Sequence, residues 1–222
     1  MESLALIALD GPSGVGKSTT AKAVAQELGW QYLDTGAMYR ATALALQRAG
    51  VVLEDRMGLE EVLAGLQIRQ AGTREFLGDE DVSEAIRTPE VTRWVTPVSA
   101  DGRVREVLVE QQRQIAAGGG WVVDGRDIGT VVFPDACCKV FLTASVAVRA
   151  RRRFLELEAK GVPEPLEAVA ADLERRDLAD STRAVAPLRK AEDAWELDSG
   201  GMDLAQVVQA IVDHHRRHPV RP

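Results

Sequence analysis

The 222-residue chain reads as an α/β fold, with five parallel strands and helices on both faces of the sheet. Three observations predict it. A glycine-rich loop separates an apolar run of strand length from a helix-periodic segment. Four further short apolar runs each end in a polar residue, as buried parallel strands do where they empty into functional loops. Between the runs, apolar residues recur at helical spacing.

The first strand is Leu4-Ala-Leu-Ile-Ala-Leu9, followed by Gly11-Pro-Ser-Gly-Val-Gly-Lys-Ser-Thr19. Ala21, Val24, Ala25 and Leu28 then fall at i, i+3, i+4 and i+7, one face of a helix. Trp30–Asp34 reads as the second strand. Residues about 51–95 break the rhythm: Gln67-Ile-Arg69 and Glu75-Phe-Leu77 flank Ala71-Gly-Thr73 like an antiparallel hairpin inserted into the core. Val104, Val107 and Leu108 mark a helix, Gly118-Gly-Gly120 breaks it, and Trp121–Asp124 is the third strand. Lys139–Thr143 is the fourth. Helices are expected over 145–157 and 164–178, the second marked by Leu166, Val169, Ala170 and Leu173. The charged segment of about 151–165 runs through Gly161, Pro163 and Pro165 and has the composition of a mobile flap. Ala194–Asp198 is the fifth strand, and Leu204, Val207, Val208 and Ile211 form a last helix with Asp203 as its N-cap. Ligands of such sheets collect beyond the carboxyl ends of the strands, so Asp34, Asp124, Thr143 and Asp198 should border one crevice with the glycine loop.

The loop fits G-x-x-x-x-G-K-[ST]. A glycine-rich turn could match by chance, but a strand before it and a helix after it are what a phosphate cradle needs. Glycines let successive N–H groups point at phosphate oxygens, and the helix N-terminus adds partial positive charge. Gly11, Pro12, Ser13, Gly14, Val15, Gly16, Lys17, Ser18 and Thr19 are therefore expected to bind a nucleoside triphosphate. Lys17 should reach the β/γ-phosphates and the Ser18 hydroxyl should face Mg²⁺.

Composition sets the surroundings. Met1-Glu-Ser3 leads directly into the first strand and no apolar run has transmembrane length, which predicts a soluble cytoplasmic protein without membrane contact. Adjacent Cys137 and Cys138 suit neither a zinc site nor a C-x-x-C pair and are expected to be reduced, buried or half-buried thiols. A net charge of −7 argues against a nucleic-acid polymer. Arginines nevertheless cluster at Arg149, Arg151, Arg152 and Arg153, and at Arg175, Arg176, Arg183 and Arg189. Solvated helix faces are one explanation; bidentate phosphate recognition is the other. His214, His215 and His218 lie in the charged C-terminal tail and are expected to be solvated.

Five segments together carry a resemblance: Asp10-Gly-Pro-Ser-Gly-Val-Gly-Lys-Ser18, Asp34-Thr-Gly-Ala-Met-Tyr-Arg40, Asp81-Val-Ser-Glu-Ala-Ile-Arg-Thr-Pro-Glu-Val91, Asp124-Gly-Arg-Asp-Ile-Gly-Thr130, and Asp177-Leu-Ala-Asp180 with Arg183-Ala-Val-Ala-Pro-Leu188. In this order they resemble the bacterial cytidylate (CMP) kinases. The resemblance implies a nucleoside-monophosphate-kinase core with a monophosphate-binding insert and a lid. It places the core over 1–50, 96–150 and 166–222, the insert at about 51–95 and the lid at about 151–165. It also implies phosphoryl transfer from ATP to CMP or dCMP with Mg²⁺.

The acceptor phosphate is already ionised at neutral pH, so catalysis must come from positioning and charge neutralisation. Lys17, Arg126, Arg176 and Arg153 are the candidate catalytic cations. By resemblance, Arg40 and Arg126 hold the CMP phosphate with Thr35 near it, while Arg176 and one or more of Arg149, Arg152 and Arg153 line the ATP phosphates. Each lid arginine has a plainer alternative, a surface salt bridge. Cytosine offers an N4 donor beside N3 and O2 acceptors, which a carboxylate and a guanidinium match. By resemblance Asp127 and Thr96 read the amino edge, Arg105 and Arg183 the acceptors, and Asp180 the sugar hydroxyls. Thr96 as a helix cap and Asp127 as a turn residue remain open. Ser18, phosphates and water are expected to hold the metal, with Asp34 or Asp124 in its outer shell. No strong apolar stripe is left over, which favours a monomer. Rival classes are another small-molecule kinase with a phosphate loop, or a non-catalytic switch, although the N-K-x-D segment that reads guanine is missing.

Overall fold

The structure, a computed structural model, describes residues 4–217, so His218 lies outside the described residues. In chain order it comprises β1 (Leu4–Asp10), α1 (Lys17–Leu28), β2 (Gln31–Asp34), α2 (Thr35–Ala49), α3 (Arg56–Ala64), β3 (Ile68–Ala71), β4 (Arg74–Leu77) and β5 (Glu80–Asp81). It continues with α4 (Pro89–Ala100), α5 (Gly102–Ala116), β6 (Trp121–Gly125), β7 (Ala136–Thr143), α6 (Val146–Ala159), α7 (Leu166–Thr182), β8 (Trp195–Asp198) and α8 (Leu204–Arg217). The chain divides into two compact units, one of Leu33–Gly118 and one of the residues on either side.

The five-stranded sheet has the order β2-β6-β1-β7-β8, and all its strands except the end of β2 lie in the flanking segments. β1 lies at its centre, parallel to β6 and β7, and β8 is parallel to β7. Leu6, Ile7, Ala8 and Leu9 are buried, which is why β1 is apolar throughout rather than alternating. Register brings the carboxyl ends to one edge: Asp10 pairs with Gly125 and Phe141, and Thr143 with Asp198. Ala21, Val24 and Ala25 of α1 join Val207, Ile211 and Val212 of α8 in one core with Ile7, Val122, Val140 and Leu142 of the sheet. Full burial of a side chain the size of Ile211 is worth about 1.5–3 kcal/mol. Asp203 caps α8 as expected, and reciprocally: its carboxylate accepts from the Gln206 N–H at 2.9 Å, while the Gln206 side chain accepts from the Asp203 N–H at 3.0 Å.

Two expectations in this unit need correcting. The fourth strand begins at Ala136 rather than Lys139. Lys139 is itself buried in the strand and ion-paired with Asp193 at 2.7 Å, so its charge hides the apolar run that precedes it. The flap expected over 151–165 is largely helical, because α6 continues to Ala159 and α7 begins at Leu166. Arg151 to Glu158 contains no helix breaker, and Gly161 is the first. Ala150, Val169 and Leu173 give this helical hairpin a small core of its own.

In the second unit, the Asp34 carboxylate caps α2 by accepting from the Ala37 N–H at 2.9 Å. Met38, Ala41, Leu46, Leu59, Ile86, Val98, Val104 and Leu108 form its buried interior. The expected hairpin is a three-stranded antiparallel sheet, β3-β4-β5, whose first turn has Gly72 at φ +61°. Helix α3 and the start of α4 fill much of the remaining stretch. Their signals were present in Asp55, which caps the Gly58 N–H, and in Leu59, Val62 and Leu63 at helical spacing.

Candidate active site

The glycine loop turns at the carboxyl end of β1. Gly11 has φ +151°, and a Cβ there would lie 2.2 Å from the Leu142 carbonyl oxygen, so only glycine fits. Gly16, at φ +97°, leads into α1 without a side-chain cap. Among the described residues, the N–H groups of Gly14, Val15, Gly16, Lys17 and Ser18 have no protein acceptor. Five consecutive donors at a helix N-terminus form an anion cradle. Lys17 is buried, because the loop folds over it. Its Nζ donates to the Gly11 carbonyl at 2.7 Å and the Pro12 carbonyl at 2.8 Å. Burial, and then the Arg126 guanidinium, hold its pKa well below the usual lysine value.

Beside the cradle, the Ser18 hydroxyl donates to Asp124 at 2.9 Å, and the Tyr32 hydroxyl donates to the other Asp124 oxygen at 2.8 Å. A hydroxyl and a carboxylate at hydrogen-bond distance are hard oxygen donors of the kind Mg²⁺ takes alongside phosphates and water. Asp34, the other expected outer-shell carboxylate, is committed to capping α2.

Arg126 donates through Nε to Asp180 at 2.6 Å and through an NH2 group to the Ser13 hydroxyl at 2.9 Å. Arg176 has, among the described residues, one long ion pair, 3.9 Å to Asp172; burial and then Arg126 lower its pKa, with Arg153 adding to the effect. Arg153 is half-exposed and paired with Glu156 at 3.1 Å. Arg149 and Arg152 are built into the structure. Arg149 is buried on Asp177, Ser13 and Ala144. Arg152 donates to the Ser199 carbonyl at 2.6 Å.

Asp127 is buried at the end of β6, where its carboxylate accepts from Arg183 at 3.1 Å. Arg183 in turn donates to the Ala186 carbonyl at 2.6 Å, and Ala186 has φ +48°, the left-handed region that costs a non-glycine residue about 1–2 kcal/mol. Sequence reasoning gave Asp10 no role. It is buried at the end of β1, with burial pushing its pKa up to about 6, and it accepts from the Ile128 and Gly129 N–H groups at 2.8 Å each. Its signal was its place as the polar end of β1. Asp177, also without an assigned role, accepts from the Ser13 N–H at 2.9 Å.

The second unit carries four expected residues. Thr35 is buried at the start of α2, and Arg40 donates to Thr92 at 2.8 Å. Arg105 is buried and donates to the Tyr39 hydroxyl at 3.2 Å. Thr96 lies inside α4 and is not its cap, a place taken by Thr88.

Cys137 and Cys138 are free thiols, half-buried and buried, and burial raises the pKa of both. The histidines depart from expectation. His214 stacks on Trp195 at 4.4 Å and His215 meets Trp30 edge-on at 5.0 Å, because α8 lays them against aromatic rings rather than fraying. Among the described residues no helix is long and apolar enough to cross a membrane.

A family model described as Cytidylate kinase matches residues 7–217. A bifunctional pantoate ligase/cytidylate kinase of Prochlorococcus marinus (strain MIT 9303) is 49% identical over 217 residues, covering 95% of this chain and 44% of that protein. A cytidylate kinase of Syntrophotalea carbinolica is 49% identical over 211 residues, covering 93% of this chain and 90% of that protein. The chain thus spans less than half of the bifunctional relative and nine-tenths of the other. A solved gluconokinase from Sinorhizobium meliloti 1021 shares the fold at TM-score 0.51 and 16% identity, covering 98% of this chain and 94% of that one.

Proposed function

The chain belongs to the cytidylate kinase family, and from that premise we propose that it transfers the γ-phosphoryl group of ATP to CMP or dCMP with Mg²⁺. The observation that carries the proposal is the cradle: five unsatisfied N–H groups, the Lys17 ammonium and the Ser18–Asp124 pair at the carboxyl edge of one sheet. The cradle and Lys17 bind the ATP phosphates. Ser18 and Asp124 are the residues that would hold Mg²⁺, which when bound neutralises charge on the phosphate oxygens. Acceptor and donor are both anions, so the chain must concentrate cations around the transferred group and needs no strong base. Arg126 and Arg176 are proposed for that work and Arg153 joins them, with the helical hairpin α6–α7 as a lid. Arg126 and Arg153 both oppose the charge on Arg176, behind burial as the larger cause of its lowered pKa, and bound phosphates would relieve that opposition.

For the acceptor we assign Thr35, Arg40 and Arg126 to the CMP phosphate, Asp180 to the sugar, and Asp127, Arg183, Arg105 and Thr96 to cytosine. The Asp127–Arg183 pair supports the base assignment, since a carboxylate held beside a guanidinium presents the acceptor and donor that cytosine requires. A monomeric, cytoplasmic enzyme with no polymeric nucleic-acid partner completes the reading. Coupled detection of ADP with ATP and Mg²⁺, with and without CMP, tests it. ADP release that depends on CMP is expected; release equal in both arms would overturn the proposal.

A further inference from the structure

Ser13 is gripped at every polar atom. Its N–H donates to one Asp177 oxygen at 2.9 Å, its carbonyl accepts from Arg149 at 2.8 Å, and its hydroxyl accepts from Arg126 at 2.9 Å. Arg149 closes the ring by donating to the other Asp177 oxygen at 2.6 Å, and its Nε is anchored on the Ala144 carbonyl at 3.0 Å. The Arg149 side chain is 5% exposed and that of Asp177 21%.

Ser13 is the residue at which the loop's amides change direction. Its own N–H points at protein, whereas those of Gly14, Val15, Gly16, Lys17 and Ser18 have no protein acceptor. Fixing both the N–H and the carbonyl of one residue fixes the planes of the two peptides around it. The peptide joining Ser13 to Gly14 carries the first open donor of the cradle. Gly14 cannot hold that plane itself, because at φ +72° it is a residue of high conformational freedom.

We propose that Asp177 is a positioning residue for ATP: with Arg149 it clamps the Ser13 peptide so that the cradle donors are aimed before the nucleotide arrives. Asp177 sits on α7 immediately after Arg176, so the clamp also ties the helix bearing a phosphate-facing arginine to the loop that receives the phosphates. The inference rests on the kinase reading for the identity of the nucleotide, but its test does not need turnover.

Asp177→Asn keeps an acceptor for the Ser13 N–H and loses the charge that holds Arg149; Asp177→Ala loses both. ADP affinity is read by calorimetry, CMP affinity in parallel, and folding by circular dichroism, all well below the melting temperature. The loss of a charge-assisted hydrogen bond predicts about a ten- to hundredfold weaker ADP affinity in Asp177→Ala. Asp177→Asn should recover part of it, and CMP affinity should change less than about twofold in both. If Asp177→Ala does not fold, Asp177→Asn decides by the same comparison. Wild-type ADP affinity in a folded variant, or equal losses for ADP and CMP, would overturn the proposal. A wild-type protein that binds ADP tightly but shows no CMP-dependent turnover would overturn the kinase reading and leave the clamp standing.

Discussion

Glu75 provides a sharp test of the energetics in the Leu33–Gly118 unit. It lies on β4 opposite Gln70 of β3, is 3% exposed, and its Oε1 has no hydrogen-bond partner among the described residues. Burial, with the Asp34 carboxylate adding to it and Arg87 opposing it, pushes its pKa from 4.5 to about 8. The native state therefore holds a proton that the unfolded state releases above pH 4.5. Stability must fall as pH rises through the window from 4.5 to 8 and then level off, since above 8 both states are ionised. The shift of roughly 3.5 pH units amounts to about 5 kcal/mol once the window is crossed, at about 1.4 kcal/mol per unit. Glu75→Gln presents a near-isosteric neutral group and escapes the penalty. Urea unfolding of both proteins from pH 5 to 9 should show similar stability at pH 5. The variant's advantage should then grow by about 1.4 kcal/mol per pH unit to a plateau above pH 8. A difference that does not change with pH would refute the reasoning and mean that Glu75 is ionised in the native state, held by Arg87.

Lys17→Ala should stay folded, since the ammonium contacts only loop carbonyls, yet lose about 10²–10³ in kcat, the scale of one lost transition-state donor; near-normal turnover would sink the cradle assignment. Asp127→Asn places an amide donor where uracil offers O4, so kcat/KM should fall for CMP and rise relative to it for UMP, by about 1–3 kcal/mol of discrimination. An unchanged ratio would return Asp127 to the role of holding Arg183. Amide exchange across 149–165 should slow when ATP and CMP are both bound, because phosphates relieve the repulsion among the arginines; exchange indifferent to nucleotides would count against a lid there.

What the sequence made legible followed the physics of each segment. β1, the glycine loop and α1 could be read residue by residue, because a doubly buried strand is apolar throughout and the turn demands glycine where Gly11 meets Leu142. β7 was read short because a buried, paired lysine looks like a surface residue. The flap of about 151–165 overlaps the helix expected over 145–157, and the helix prevails because the charged residues there are good helix formers. The candidate site residues were named from motifs, but the pairings among them were not legible: Arg126 meets Asp180, and Arg183 meets Asp127, across 54 and 56 residues of chain. Asp177 and Asp180 lie one helical turn apart with the same side chain. Only the fold separates the one on the Ser13 peptide from the one on Arg126.

This chain is proposed to phosphorylate CMP and dCMP. The direct measurement supplies ATP labelled at the γ-phosphoryl group with Mg²⁺ and a panel of CMP, dCMP, UMP, AMP, shikimate and gluconate, and identifies the labelled product by chromatography. Label is expected in CDP and dCDP, with little in UDP and none in shikimate or gluconate. Label in shikimate or gluconate with none in CDP would contradict it.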